Sequence, residues 1–174
     1  MTIHKILLEP DLLLRKKCKV VKTVDDSLRQ LMDDMAETMY DAPGIGLAAV
    51  QIGVLKRVVV IDTNKEEERQ DPLYLVNPEI IFKSKENSKY EEGCLSLPGQ
   101  FAEIERASEC HLKYLDYNGE TKELKAKGLL ATCIQHEIDH LDGILFIDYL
   151  SKLKKTMIIK KLTKQKKSLE RIVV

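Results

Sequence analysis

Residues 135–140 read Gln135-His136-Glu137-Ile138-Asp139-His140, which is His-Glu-x-x-His spacing inside a stretch that predicts a helix over residues 129–141. Two histidines four positions apart lie on one face of a helix, where both imidazoles can bind one metal ion. Glu137 follows the first histidine and can exchange protons with a water molecule at the metal without binding the metal itself. The segment therefore predicts a metal-dependent hydrolase with His136 and His140 as ligands and Glu137 as general acid/base.

The third ligand is expected from an upstream loop. A catalytic site of this kind uses three protein ligands and keeps one position open. After His140 the chain contains no further histidine, and its one later glutamate is Glu170, in a Lys-rich tail. Residues 91–98 read Glu-Glu-Gly-Cys-Leu-Ser-Leu-Pro. A thiolate beside a glycine can approach a helix closely, and one thiolate with two imidazoles suits zinc or ferrous iron. We predict Cys94 as the third ligand.

Length favours a single domain, and the cysteine pattern favours a reducing compartment. We expect one catalytic domain over residues 1–174, a length sufficient for a substantial core. The 28 basic and 28 acidic side chains leave no net charge, so the total favours no particular partner. The four cysteines lack Cys-x-x-Cys spacing, and the chain shows neither a signal peptide nor a long apolar run. We expect a cytoplasmic monomer that binds neither DNA nor membranes.

The last 24 residues differ from the rest in charge. Residues 151–174 carry nine Lys or Arg and one acidic side chain, whereas the rest carries 19 basic and 27 acidic side chains. We predict a basic amphipathic C-terminal helix, whose charges either bind a polyanion or form a solvated face. The apolar positions expected to face the body are Leu150, Leu153, Met157, Leu162 and Leu169.

The remaining pattern predicts an α+β fold. A helix is expected over residues 25–40, with Ser27 and Gln30 at the spacing of a capping box. Strands are expected over residues 57–61 and 73–82, and Asn118-Gly119 between alternating runs predicts a hairpin. Because the strands come as hairpins and not as strand–helix–strand repeats, we expect antiparallel sheets packed around the central metal-binding helix.

Three segments occur in the order and spacing of the signature motifs of peptide deformylases. They are Gly44-Ile45-Gly46-Leu47-Ala48-Ala49-Val50-Gln51, Glu92-Gly93-Cys94-Leu95-Ser96 and the His-Glu-x-x-His segment. The chain resembles this family over nearly its whole length. The resemblance implies hydrolysis of the N-formyl group from the N-terminal formyl-methionine of nascent polypeptides, with release of formate. It also implies Fe²⁺ as the physiological metal, with Zn²⁺, Ni²⁺ or Co²⁺ able to occupy the site.

The resemblance further implies roles for individual residues. Gln51 and the backbone N–H of Leu95 would form the oxyanion hole, and the backbone of Gly44, Ile45 and Gly46 would pair with the substrate. The pocket for the first side chain would be lined by Ile45, Tyr90, Leu129, Thr132 and Cys133. Thr132 is a departure, because related enzymes often carry an apolar side chain there. Two further departures are Leu97, where Val or Ile is common, and Phe101, where some relatives have Arg. We expect Glu92 to form an ion pair with Arg106 and not to act in catalysis.

Two other functions remain as alternatives. A zincin-type metalloendopeptidase shares His-Glu-x-x-His, although the missing downstream ligand and the Cys94 loop count against it. A catalytically silent, ribosome-associated metal-binding module is disfavoured, because no residue of the active constellation is missing. The resemblance implies ribosome contact through the basic C-terminal helix, whose lysines could meet RNA phosphates.

Overall fold

In the part of the chain that the structure describes, three α-helices and seven strands form an α+β fold, as the sequence predicts. The computed structural model describes residues 2–64 and 70–172, with side chains up to residue 168. The elements are α1 (Asp26–Asp41), β1 (Gly46–Ala48), β2 (Val58–Ile61), β3 (Leu73–Lys83), β4 (Asn87–Cys94), β5 (Leu97–Ala107), β6 (Glu109–Leu115), β7 (Thr121–Lys127), α2 (Gly128–Leu141) and α3 (Lys152–Ile172). Among these residues no helix combines the length and apolarity that a membrane crossing requires.

All strand pairs in the two sheets are antiparallel. One sheet has five strands in the order β1-β2-β3-β6-β7, and β4 and β5 form a separate two-stranded sheet. The predicted hairpin is confirmed: Gly119 has a φ of 82° in the turn between β6 and β7. β1 stands at one end of its sheet, so one of its edges is free to face the cleft described below.

Helix α2 lies at the centre of the molecule. Ile134 and Leu141 are fully buried and belong to one core cluster with Val59 and Leu75 of the large sheet. His136 and His140 lie on the opposite side of the same helix, and Glu137 lies next to them. The hydrophobic contacts of one face therefore fix where the polar face points.

Helix α1 follows the prediction except at its first turn. Leu28, Met32, Met35 and Met39 are buried in a second core cluster against Val58 and Val60 of β2. The N-cap is Asp25, whose side chain accepts a hydrogen bond from the Leu28 N–H at 2.8 Å. The predicted capping box of Ser27 and Gln30 is wrong, because both residues lie inside the helix.

Helix α3 contacts the body through a partly different set of apolar side chains from the one predicted, because Ile158 and Ile159 also pack against it. Leu162 is 3 % exposed and packs in a third cluster with Phe146 and Leu97, and Leu150 packs against the same cluster. Leu153 and Met157 are 72 % and 63 % exposed, so the prediction is wrong for both. The predicted contact of Leu169 lies outside the described side chains.

Candidate active site

A cleft of about 410 Å³ opens beside α2, between the segment entering β1 and the β4–β5 hairpin. It brings together nearly every residue assigned from the sequence. Its lining includes Gly44, Ile45, Gly46, Gln51, Tyr90, Cys94, Leu95, Leu129, Thr132, Cys133, His136 and Glu137. A larger groove of about 740 Å³ lies elsewhere along α2 and contains none of the three predicted ligands.

The three predicted metal ligands converge at one point. One donor atom each from Cys94, His136 and His140 lie within 4.8 Å of one another, and Cys94 Sγ is 3.3 Å from His140 Nε2. Tetrahedral coordination with ordinary metal–sulfur and metal–nitrogen bonds needs donor separations of about 3.3–3.6 Å. Cys94 reaches this position because it ends β4 at a tight turn, where a register shift separates it from Gly93. The donor set and its spacing therefore fit a single divalent metal.

The first histidine is held in orientation by a buried carboxylate. His136 Nδ1 donates to Glu92 Oε2 at 2.8 Å, which turns the Nε2 side of the ring toward the cysteine. Arg106 donates to both oxygens of Glu92, from Nε at 2.5 Å and from its terminal nitrogen at 3.0 Å. Burial opposes the charged carboxylate, yet the hydrogen bonds from His136 and Arg106 hold the pKa of Glu92 below its usual range. The ion pair predicted between Glu92 and Arg106 is present.

Arg106 also connects the site to Tyr149, which lies between α2 and α3. It donates to Asp139 Oδ2 at 2.8 Å, and its guanidinium lies 4.8 Å from the centre of the Tyr149 ring. Tyr149 donates its hydroxyl to the same oxygen of Asp139 at 2.8 Å. No spacing in the sequence indicated a role for Tyr149, because its partners lie on two other elements: Arg106 on β5 and Asp139 on α2.

Glu137 lies inside the cleft with an uncommitted oxygen. Its side chain is 4 % exposed, and Oε2 has no hydrogen-bond partner among the described residues. Burial raises the pKa of Glu137 to about 7. Gly46 faces this carboxylate so closely that a Cβ there would overlap Oε1. Position 46 of β1 therefore requires a glycine, because the Glu137 carboxylate leaves no room for a side chain.

Gln51 presents its amide nitrogen to the cysteine loop. Its Oε1 accepts from the Ala48 N–H at 2.8 Å, so the NH₂ group must point the other way. Nε2 lies 3.1 Å from Ser96 Oγ and 3.6 Å from Cys94 Sγ. Leu95 occupies the turn beside it, and its side chain covers Gly44. Two candidate donors, the Gln51 amide and the Leu95 backbone, thus flank the ligand cluster.

Gln100 and Phe101 also line the cleft, although neither was assigned a role from the sequence. Gln100 is buried, and its Nε2 has no hydrogen-bond partner within the described residues. Phe101 is 63 % exposed at the rim, with its ring over Gly93, where a Cβ would come within 2.6 Å of the ring. Both lie on β5, and the charged, weakly alternating sequence of the β4–β5 hairpin gave no strand signal.

Comparison with known proteins identifies the family. Residues 3–156 match the polypeptide deformylase family. The chain belongs to the peptide deformylase family. It is 63 % identical over 174 residues to the peptide deformylase of Pelagibacter ubique, covering all of both chains. It is 54 % identical over 168 residues to that of Rhizobium meliloti, covering 97 % of each.

Solved structures of peptide deformylases share the fold. The enzyme from Ehrlichia chaffeensis superimposes with a TM-score of 0.91 at 43 % identity, covering 96 % of this chain and 98 % of that one. Its complex with actinonin gives a TM-score of 0.90 at 46 % identity, with 95 % and 98 % covered. This chain is accordingly a metal-dependent hydrolase that removes the N-formyl group of N-terminal formyl-methionine from nascent polypeptides.

Proposed function

We propose that Cys94, His136 and His140 hold the catalytic metal and that Glu137 is the general acid/base. The observation that carries this proposal is the convergence of one sulfur and two imidazoles beside a buried carboxylate with a free oxygen. A metal bound there would lower the pKa of a water molecule to about 7 and so supply hydroxide near neutrality. Glu137 accepts a proton from the attacking water and delivers it to the leaving amine.

The oxyanion is stabilised by Gln51 and Leu95. Attack on the formyl carbon places negative charge on the former carbonyl oxygen. The Gln51 NH₂ group and the Leu95 N–H can donate to it, because Gln51 is fixed by the Ala48 N–H. Removal of one such donor typically costs about 3–4 kcal/mol of transition-state stabilisation. Burial of the cleft floor strengthens these hydrogen bonds relative to water.

The substrate chain adds to the free edge of β1. The cleft is lined by Gly44, Ile45 and Gly46 on one side and by β4 on the other. A strand at the end of a sheet offers unpaired backbone groups to an extended peptide. The first side chain then enters the pocket of Ile45, Tyr90, Leu129, Thr132 and Cys133. We propose residues 1–174 as a single catalytic domain around this cleft.

We propose Fe²⁺ as the physiological metal, with Zn²⁺, Ni²⁺ and Co²⁺ as possible occupants. A thiolate with two imidazoles suits ferrous iron and zinc. The negative charge of Cys94 reduces Lewis acidity relative to three neutral histidines, which favours iron at the cost of oxygen sensitivity. Turnover of anaerobically prepared iron and zinc forms tests this; equal rates would remove the argument.

We propose that α3 contacts the ribosome while the enzyme acts as a cytoplasmic monomer. Lys160, Lys164 and Lys167 are exposed on α3 and could meet RNA phosphates. Truncation of α3 would remove the buried Leu162, so charge reversal is the cleaner test. Changing all three lysines to Glu should weaken co-sedimentation with ribosomes. It should also reduce the dependence of that co-sedimentation on salt concentration. Reversal of Lys22, Lys113 and Lys125, which are exposed on the body, is the matched control.

Formate release decides between the proposed activity and an endopeptidase. We expect release of formate from formyl-Met-Ala-Ser and no cleavage of an unformylated longer peptide. Metal content of anaerobically purified protein is measured on the same sample. Peptide-bond cleavage without formate release would support the zincin alternative.

A further inference from the structure

Asp62 carries a buried charge outside the lining of the cleft. It directly follows β2 and is 7 % exposed. Its Oδ2 accepts hydrogen bonds from the Tyr40 hydroxyl at 2.7 Å and from the Asp71 N–H at 3.0 Å, and its Oδ1 accepts from the Asn64 N–H at 2.9 Å. Burial opposes the charged form, yet these hydrogen bonds hold the pKa of Asp62 below its usual range. The carboxylate is therefore ionised at neutral pH and fixed in orientation by three donors.

The backbone of Asp62 holds the segment that enters β1. Its N–H donates to the Ile45 carbonyl at 2.9 Å, which extends the β1–β2 pairing one residue beyond Gly46 and Ile61. In an antiparallel pair, residues that hydrogen-bond to the partner strand alternate with residues whose N–H and C=O point away from it. Because the Ile45 carbonyl points toward β2, Gly46 presents its N–H and C=O to the free edge of β1.

Asp62 therefore bridges the two ends of one short connection. Tyr40 lies at the end of α1, and Ile45 immediately precedes β1. The side chain of Asp62 holds the first end, and its backbone holds the second. A displacement of this connection would move the edge of β1 relative to Glu137, whose carboxylate faces Gly46.

We propose that Asp62 is a positioning residue for the substrate: by tying Tyr40 to Ile45, it keeps the free edge of β1 where an extended formylated peptide can pair with it. This inference rests on the proposed pairing of the substrate chain with that edge. An edge that is already ordered spares the complex the entropy cost of ordering it, which favours binding. The benefit grows with the number of backbone groups that pair, so a tripeptide gains more than formyl-methioninamide, which ends at the first residue.

The experiment compares two substrates and two single substitutions. Formate release is measured for formyl-Met-Ala-Ser and for formyl-methioninamide, and metal content is measured on every sample. Tyr40→Phe removes the hydroxyl alone, and Asp62→Asn removes the charge while keeping the shape. Tyr117→Phe is the matched control, because the Tyr117 hydroxyl also joins an aspartate, Asp33 of α1, at 3.0 Å. Both tyrosines pack against the same core cluster, but Tyr117 has no contact with the segment that enters β1 through this hydrogen bond.

We expect Tyr40→Phe and Asp62→Asn each to lower the kcat/KM ratio of formyl-Met-Ala-Ser to formyl-methioninamide about three- to tenfold, mainly through KM. Metal content should not change, and the double variant should lose little more than Asp62→Asn alone, because both substitutions break one hydrogen bond. Tyr117→Phe should leave the ratio unchanged.

An unchanged ratio in either variant, or an equal fall on both substrates, would overturn the inference while the proposed function stands. A wild-type enzyme that shows no preference for the longer peptide would instead overturn the proposed pairing of the substrate with β1, and the inference with it.

Discussion

Glu92 Oε2 accepts a hydrogen bond from His136 Nδ1 at 2.8 Å, and both side chains are less than a tenth exposed. This contact fixes the tautomer and the plane of the imidazole before any metal binds. Arg106 in turn fixes Glu92 through two hydrogen bonds. Such partners of metal ligands typically change metal affinity or activity by about 10–100-fold when removed.

Glu92→Gln should therefore weaken metal binding without removing a ligand. The amide lacks the negative charge that Arg106 and His136 share, so the ring is held less firmly. We expect metal affinity to fall by about 10–100-fold in chelator competition. Glu103→Gln is the control, since Glu103 is exposed and pairs with Lys89. Equal affinities of Glu92→Gln and wild type would contradict the proposed role of Glu92.

Cys94→Ala and Glu137→Ala should separate metal binding from turnover. The first removes a proposed ligand, so both metal content and formate release should be lost. The second removes the proposed proton carrier and should keep the metal while turnover falls about 10²–10⁴-fold. Cys18→Ala, at a buried cysteine outside the cleft, should retain both properties. Retention of a full metal complement by Cys94→Ala would refute its assignment as a ligand.

Leu162→Ala should destabilise the protein far more than Leu153→Ala. Leu162 is 3 % exposed against Phe146, whereas Leu153 is 72 % exposed on the same helix. Both changes replace Leu with Ala in the same helix, and the small difference in helix propensity between the two positions is far below the packing loss expected at Leu162. We expect a loss of about 2–5 kcal/mol for Leu162 and within about 0.5 kcal/mol for Leu153. Denaturant unfolding measures both, and equal losses would contradict the described docking of α3.

Stability should depend on pH through Asp148. Its carboxylate receives hydrogen bonds from Arg15 at 2.6 Å and from Lys155 of α3 at 2.5 Å. Burial opposes ionisation, but the hydrogen bonds from Lys155 and the Leu145 N–H and the charge of Arg15 hold the pKa of Asp148 below its usual range. A lowered folded-state pKa gives stability that is complete above the unfolded value of about 3.9 and is lost as the pH falls through the folded value.

The difference in unfolding free energy between wild type and Asp148→Asn should therefore be largest near neutrality. It should shrink as the pH drops below about 4, where the carboxylate is neutralised in both states. Asp26→Asn, at an exposed aspartate that pairs with Arg29, should show a much smaller pH dependence. A difference that grows toward acid pH would contradict the assignment.

The sequence predicted helix α2 and the closeness of its two histidines well, because one short spacing carries both. A spacing of four residues places His136 and His140 on one face of α2, and the apolar residues of the helix bury the other face. The position of Cys94 was harder to predict, because Cys94 reaches the two histidines through the β4–β5 hairpin, which the sequence pattern did not predict. The inward positions of β4 are Ser88, Tyr90 and Glu92, so this strand shows little hydrophobic alternation although its exposure alternates.

Tertiary contacts decide which apolar positions of a helix are buried, and helical periodicity alone does not. The pattern in α3 marks several apolar positions as equivalent, yet the third core cluster receives Leu162 and leaves Met157 in solvent. The unpaired hydroxyl of Thr132 was equally unpredictable, because sequence cannot tell a hydroxyl bonded to its own helix from one that has no partner among the described residues.

The central claim is that one sulfur and two imidazole nitrogens bind the catalytic metal. X-ray absorption spectroscopy at the metal edge, on anaerobically purified protein, tests it directly. We predict one sulfur at about 2.3 Å and two imidazole nitrogens at about 2.0–2.1 Å, with the sulfur signal lost in Cys94→Ala. A fully active wild-type enzyme whose metal shell contains no sulfur would contradict the account.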